Sequence, residues 1–386
     1  MRVLMLVTSD VAGDSRVVRE ATTLAAAGHE VTVVGRDVPA GWERPAGVTV
    51  LSASGGSGLK RPDAPATPRV LPLHLRAARW ALLPRHNASV LARWTADAER
   101  VAGEVPADVV HAHDFNTLEL GARLADRRRA QLVYDSHEFW SGRPRTSRPT
   151  PLAARRAIAA EAALGARADA VITVGDGVAR LLRGRFGWDS VDVVRNTFPG
   201  LEGPPALPER PVGAVYSGRM APYRELEAIA AASREVPELR FTAIGPADPT
   251  WLAAYEPGRV EVRPSVPLPE AEALLASQGL ALVTHSARWP NHRVALPNKL
   301  FSAVRVGAPV VATDVEELAK VVRAHDLGTL YAPGDARGLA RAVREAVERW
   351  PELCANVRAA QAELSWEVDG ATLLGVYERL ATRRSQ

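Results

Sequence analysis

The chain has 386 residues, 47% hydrophobic and 24% charged, a globular composition with length for two domains that each bury a core. Its net charge of +4 comes from arginines spread along the sequence, so no basic block marks a nucleic-acid footprint. The single cysteine, Cys354, excludes an intrachain disulfide and fits a reducing cytoplasm, and no apolar run reaches the roughly 18 residues of a membrane span.

The opening "MRVLMLVTSD" reads as a first strand over residues 3–7 and not as a secretory leader, because Asp10 and Asp14 follow at once. The turn "SDVAGDSRVVRE" offers Gly13, a helix cap at Asp14 or Ser15, and Arg16 facing whatever the turn approaches. A helix over 15–27 and a strand over 30–35 come next. No G-x-G-x-x-G follows the first strand, which argues against a nicotinamide enzyme. Residues 69–94 mix Leu and Trp with Arg76, Arg79, Arg85 and Arg93. They form either a basic amphipathic helix for an anionic membrane or a core-packing helix pair, with Pro72 and Pro84 interrupting the pattern.

"ADVVHAH" (107–113), "AQLVYDSH" (130–137), "ADAVITVG" (168–175) and "VDVVRN" (191–196) are apolar runs of strand length ending in polar residues. With helices between them they predict a parallel sheet covered on both faces, an α/β arrangement. His113 and Asp114, and likewise His137 and Glu138, stand just past strand ends. Neither H-x-x-x-H nor a cysteine-based spacing is present, so no metal is expected, and a histidine here is a hydrogen-bond donor to a sugar or phosphate.

Residues 198–211, "FPGLEGPPALPERP", hold five prolines and two glycines and read as a linker. The pattern then restarts with strands over 212–219, 239–245, 259–264, 280–286 and 328–334. Two Rossmann-like halves predict a cleft between the carboxyl ends of two sheets. "YSGRMAPYRELEAI" (216–229) turns from strand to helix at Gly218, with Arg219 and Arg224 on either side. Such a turn suits a diphosphate, although arginines at helix starts are also commonly just solvated.

"LPNKLFSAVRVGAPVVATD" (296–314) predicts a helix over 298–306 with Pro297 in its first turn, ended by Gly307, then a strand over 309–313. Thr313 or Asp314 would cap the next helix, with Glu316 or Glu317 reaching back. Lys299, one of only three lysines, opposes the helix dipole there, which favours a nearby anion over a solvated side chain. Residues 373–386 read as a final helix.

These residues resemble, motif by motif and in order over nearly the whole length, the retaining glycosyltransferases of the two-Rossmann GT-B architecture, of the group 1 or family 4-like type. The motifs are "DSRVVREATTLAAAGHEVTVV", "DVVHAHD", "LVYDSHE", "ADAVITVGDGV", "VVRNTF", "YSGRMAPYRELEAI", "FTAIGPAD" and "PNKLFSAVRVGAPVVATD". The resemblance implies an acceptor domain over 1–198, a linker over 199–211, and a nucleotide-sugar domain over 212–365. A helix over 366–386 would return to the first domain.

By position, Arg219 and Arg224 match the pair that neutralises the donor diphosphate, and His137 the histidine that contacts the donor sugar. The donor side would also include Gly218, Gly245, Asn298, Lys299, Leu300 and Ser302. The acceptor side would include Asp14, Arg16, His113, Asp114 and Glu138. Two departures stand out. The family's glutamate-x7-glutamate pair falls on Val294 and Ser302, and the first-domain turn carries one glycine, Gly13, where many members have two. Asn298 and Lys299 would stand in for part of the missing clamp.

The expected function is transfer of a sugar from a UDP- or GDP-linked donor to a lipid carrier, polysaccharide or natural product, in the cytoplasm or at the inner membrane surface. No bound cofactor, metal or nucleic acid is expected. The rival readings are a degenerate, non-catalytic nucleotide-binding partner and a nucleotide-sugar 2-epimerase.

Overall fold

The computed structural model describes residues 1–39, 41–54, 73–143 and 151–384, the stretch 73–85 by its backbone alone. It divides into two compact units: residues 1–174, 179–194 and 370–386, and residues 175–178 with 195–369.

The first unit is built on seven parallel strands, β1 (Arg2–Leu6), β2 (Glu30–Arg36), β3 (Val48–Ala53), β4 (Val109–His113), β5 (Gln131–Ser136), β6 (Ala170–Thr173) and β7 (Asp192–Val193). Their order is β3-β2-β1-β4-β5-β6-β7, and the register places Leu4 beside both Thr32 and Val110. Every residue of β4 is buried, His111 and His113 included, because helices cover both faces. The Ser15–Ala26 helix lays Val17, Ala21 and Leu24 on the core and buries Arg16 and Glu20 on the adjoining line.

β3 adds a strand to those expected, its "VTVLSA" alternating between buried and more exposed residues over most of its length. Of the two expectations for residues 69–94, Pro84 does not divide the stretch: one helix, Leu73–Ala102, runs through it. Trp94, Ala98 and Ala102 on that helix are buried at helical spacing, so its later turns pack on the core. The proposed membrane face falls mostly on 69–85, whose side chains lie outside the described residues.

The second unit has six parallel strands, β8 (Gly213–Ser217), β9 (Arg240–Ile244), β10 (Val260–Arg263), β11 (Gly279–Val283), β12 (Val310–Thr313) and β13 (Gly328–Tyr331), in the order β10-β9-β8-β11-β12-β13. Alternation along β8 sends Ala214 and Tyr216 into one core with Phe241 and Leu339, and Val215 into the other with Leu300 and Val304. In both units the strand order reverses once, between β1 and β4 and between β8 and β11. Ligands of doubly wound sheets bind at the carboxyl ends flanking such a reversal.

The Asn298–Val306 helix has the predicted bounds. It closes on Gly307 at φ 80°, a left-handed conformation that glycine adopts freely, while Pro297 stands just outside at the N-cap. The predicted cap on the next helix does not form. Val315 is the N-cap of the Glu316–Ala324 helix and gives it no side-chain bond. Thr313 instead accepts the His285 N–H at 2.9 Å, and Asp314 pairs with Arg323 at 2.6 Å. The last helix, Trp366–Arg384, begins in the second unit and ends in the first.

Candidate functional site

In the second unit the candidate site is built where β8 and β11 end side by side. Gly218 (φ 149°) and Gly245 (φ 147°) let the turns after β8 and β9 touch. A Cβ on Gly245 would lie 2.1 Å from the Gly218 carbonyl oxygen, and the Gly218 N–H donates to Ile244 at 2.8 Å. Only glycine satisfies both the conformation and the approach. Arg219 follows, exposed, its carbonyl accepting from the Tyr216 hydroxyl at 2.8 Å.

Arg224 sits between two non-glycine residues in the left-handed region, Tyr223 (φ 68°) and Glu225 (φ 62°). Such residues cost about 1–3 kcal/mol each and persist where surrounding contacts hold them. Here Glu225 accepts from the Gly334 N–H, and the Thr284 hydroxyl donates to the Arg224 carbonyl at 2.8 Å. Beside the guanidinium lies His285, whose Nε2 is 3.2 Å from Arg224 Nη1. Burial, with His292, Arg224 and Lys299 nearby, pushes His285 down to about 3, so its ring is neutral and Nε2 accepts from Arg224.

Lys299 comes from the first turn of the Asn298–Val306 helix. Its Nζ stands 4.4 Å from the centre of the Tyr216 ring, a cation–π contact, and its end faces Gly218. Burial and then the Arg224 charge push the ammonium down to about 7.

The other residues expected on this side divide. Asn298 is exposed at the helix start, whereas Leu300 is fully buried in the core. Ser302 donates to Glu272 at 3.0 Å, and the other Glu272 oxygen takes Arg305 at 3.0 Å. Val294 is a buried core residue. The clamp positions of the resemblance therefore serve packing and a local ion pair. Lys299 faces the Gly218 turn within range of the Arg224 charge, an arrangement fitted to a polyanion.

The carboxyl ends of β1, β4 and β5 form a second cluster, in the first unit. Asp14 caps the Ser15–Ala26 helix, accepting from Val17 N–H at 3.3 Å and from the Ser9 hydroxyl at 2.7 Å. Arg16, expected to face whatever the turn approaches, is turned into the unit and buried. It grips Asp135 through two bonds of 2.8 and 2.9 Å, the Val194 carbonyl at 2.7 Å and Glu20 at 2.9 Å. Asp135 Oδ2 also lies 3.2 Å from His113 Nδ1 and 3.2 Å from His137 Nε2. His113 is buried, while His137 and Asp114 are partly exposed, with His137 Nδ1 3.5 Å from Asp114.

Burial pushes the His137 imidazole down, but Asp114 and Asp135 outweigh it and raise the ring to about 10, so it is an imidazolium at neutral pH. Glu138 pairs with Arg143 at 2.8 Å, and Arg143 lies over Trp140. Ligating atoms of Glu20, His111, His113 and Asp135 all lie within 4.8 Å of one another, a spacing that would admit a cation. Arg16 Nε already stands 2.9 Å from Glu20 and 2.8 Å from Asp135, so a guanidinium provides the positive charge between those carboxylates.

Several residues that build these clusters carry no signal in the sequence. Asp135 lies inside the quoted "YDSHE", yet a strand residue two before a histidine reads as packing. Thr284, His285, Trp289 and His292 lie in a stretch with no motif spacing, and only the fold brings them to Arg224.

A double Rossmann chain with both sheets parallel and both reversals furnished with polar side chains defines the GT-B class. The match to a glycosyl transferase 4-like domain covers residues 13–197, and that to glycosyl transferases group 1 covers 212–349. The chain belongs to the group 1 glycosyltransferases. Among solved structures it is similar to sucrose-phosphate synthase from Thermosynechococcus elongatus (18% identity, 99% of this chain and 100% of that one, TM-score 0.75). It is also similar to HepE of Anabaena in complex with UDP-glucose (17%, 99% and 100%, TM-score 0.67). A third is WaaG, a glycosyltransferase involved in lipopolysaccharide biosynthesis (16%, 96% and 98%, TM-score 0.63). No curated protein matches the sequence.

Proposed function

We propose that this glycosyltransferase moves a sugar from a nucleotide-diphospho-sugar, UDP- or GDP-linked, to an acceptor hydroxyl or amine, with retention of configuration and without a metal. The observation that carries the reading is the Gly218 turn with Arg224 and Lys299 beside it. As the glycosidic bond breaks, its electron pair stays on the leaving diphosphate. Fixed Arg224 and Lys299 stabilise that charge, the kind of preorganised electrostatics that dominates many enzymes. The acceptor proton passes to a departing phosphate oxygen during front-face attack. The acceptor is assigned to the first unit, where Asp114 and Glu138 offer carboxylate oxygens that accept from hydroxyl groups. HepE, crystallised with UDP and with UDP-glucose, supports a nucleotide-sugar donor.

The test is nucleotide release from a panel of UDP- and GDP-sugars with candidate acceptors, followed by product analysis of the anomeric centre. Arg224→Ala is expected to lower turnover by about 10²–10³-fold. Undiminished turnover in that variant would remove the charge assignment.

A second, non-catalytic reading draws on Ser302 being committed to Glu272 and Val294 to the core. It predicts nucleotide binding with no release under any acceptor. A cytoplasmic setting is part of the proposal: no helix among the described residues is long and apolar enough to cross a membrane, and Cys354 is free.

A further inference from the structure

Next to Arg224 the second unit carries a group of rings that the diphosphate does not require. Tyr223 is 44% exposed, far more than a tyrosine needs to be if it only fills space, and its left-handed backbone holds it there. Its ring meets Trp289 at right angles with centroids 4.7 Å apart. Trp289 in turn meets His292 at 4.8 Å, and His292 meets His285 at 4.5 Å. The series ends on Arg224 through His285 Nε2. Arg288 lies 4.8 Å from the Tyr223 ring centre and 5.1 Å from that of Trp289, and it is exposed.

Both histidines are electrically neutral. Burial and then the Arg224 charge push His292 down to about 4, and its Nδ1 is engaged with the Ser286 hydroxyl at 2.7 Å. The segment 284–297, "THSARWPNHRVALP", contains no acidic residue.

We propose that Tyr223 and Trp289 form a wall against which the glycosyl ring of the donor lies, with Arg288 and His292 hydrogen-bonding its hydroxyls. The proposal rests on the second unit holding a nucleotide-diphospho-sugar. A pyranose has an apolar C–H face and a rim of hydroxyls. It therefore fits an aromatic surface edged by a planar guanidinium and a neutral imidazole, each able to bond hydroxyl oxygens. Tyr223 is the immediate neighbour of Arg224, so a sugar joined to a diphosphate at Arg224 needs no further span to reach the wall. The rings form a continuous series from the phosphate ligand to the exposed tyrosine, which sets them apart from isolated surface aromatics.

The experiment is titration calorimetry with two probe pairs, UDP against UDP-glucose and GDP against GDP-mannose, on wild type, Tyr223→Ala, Trp289→Ala and Trp289→Phe. In wild type one sugar nucleotide is expected to bind about tenfold tighter than its diphosphate, a difference of about 1.4 kcal/mol. Tyr223→Ala and Trp289→Ala should erase that margin and leave the diphosphate affinity in place, which also shows that the variants are folded. Trp289→Phe should keep most of it. The wall is overturned if a diphosphate binds but neither conjugate binds tighter, or if the margin persists in both alanine variants. If neither UDP nor GDP binds wild type, the donor reading itself fails and takes the wall with it.

Discussion

Lys299 is the residue whose charge depends most on its ligand. With its ammonium at about 7 beside Arg224, a share of the molecules carries no proton there at pH 8. A diphosphate in contact with it favours the charged form, so binding must take up a proton above neutrality. Affinity is expected to fall as pH rises beyond 7, by up to about tenfold per unit. Calorimetry at pH 8 in two buffers of different ionisation enthalpy should show uptake approaching one proton. Lys299→Met should abolish it, and an unchanged uptake in that variant would place the proton elsewhere. Much of this residue's role was legible in sequence, because a lone lysine in the first turn of a capped helix stands against the dipole. The burial and the Arg224 charge that depress it, and the Tyr216 ring it stands over, were not. Tyr216 and Arg224 lie 83 and 75 residues before Lys299, and what Arg16 faces could not be read because its partner Asp135 lies 119 residues away.

Among elements, the turn after β8 depends on two glycines meeting. Gly245→Ala would drive a methyl group onto the Gly218 carbonyl and demand a φ that side chains rarely adopt. We expect a loss of at least about 2 kcal/mol in urea unfolding, together with loss of diphosphate affinity. Gly187→Ala, which shares a positive φ of 70° but meets nothing within 4 Å, should cost less and spare the ligand. Equal losses in the two variants would show that neither the approach to Gly218 nor the more restricted φ of Gly245 adds to the cost. Local rules located the Asn298–Val306 helix to the residue, since proline before and glycine after are backbone requirements. They failed at Pro84, where the Leu73–Ala102 helix continues, and at the Thr313 cap, where a tertiary bond to His285 takes the hydroxyl.

For the whole molecule, buried ionisable groups set the response to pH. Burial raises Glu161 to about 7, its hydrogen bond to Tyr134 offsetting only part of this. The folded chain then holds that proton more tightly than the unfolded chain, whose group titrates near 4.5, so stability falls as pH rises from 4.5 to 7. His137, raised to about 10, adds a loss of the same sign between 6.5 and 10 as its bonds to Asp114 and Asp135 weaken. Against these, His285 and His292, held neutral at about 3 and 4, add stability as pH rises towards 6.5, and Lys299, at about 7, adds it above 7, so each group is read by the difference between variant and wild type. Glu161→Gln, which can still accept from Tyr134, should gain urea midpoint relative to wild type as pH rises from 4.5 to 7 and gain no more above it. A difference between Glu161→Gln and wild type that stays constant from pH 4.5 to 7 would contradict the Glu161 assignment.

The passage of the Trp366–Arg384 helix from one unit to the other also orders events in time. Leu373, Val376, Tyr377 and Leu380 are buried in the first unit, where Tyr377 meets His111 at 2.9 Å. A ribosome delivers these residues only after everything the second unit contains. The half of the chain made first is thus the half completed last, and until then the strand bearing His111 and His113 waits without its outermost layer.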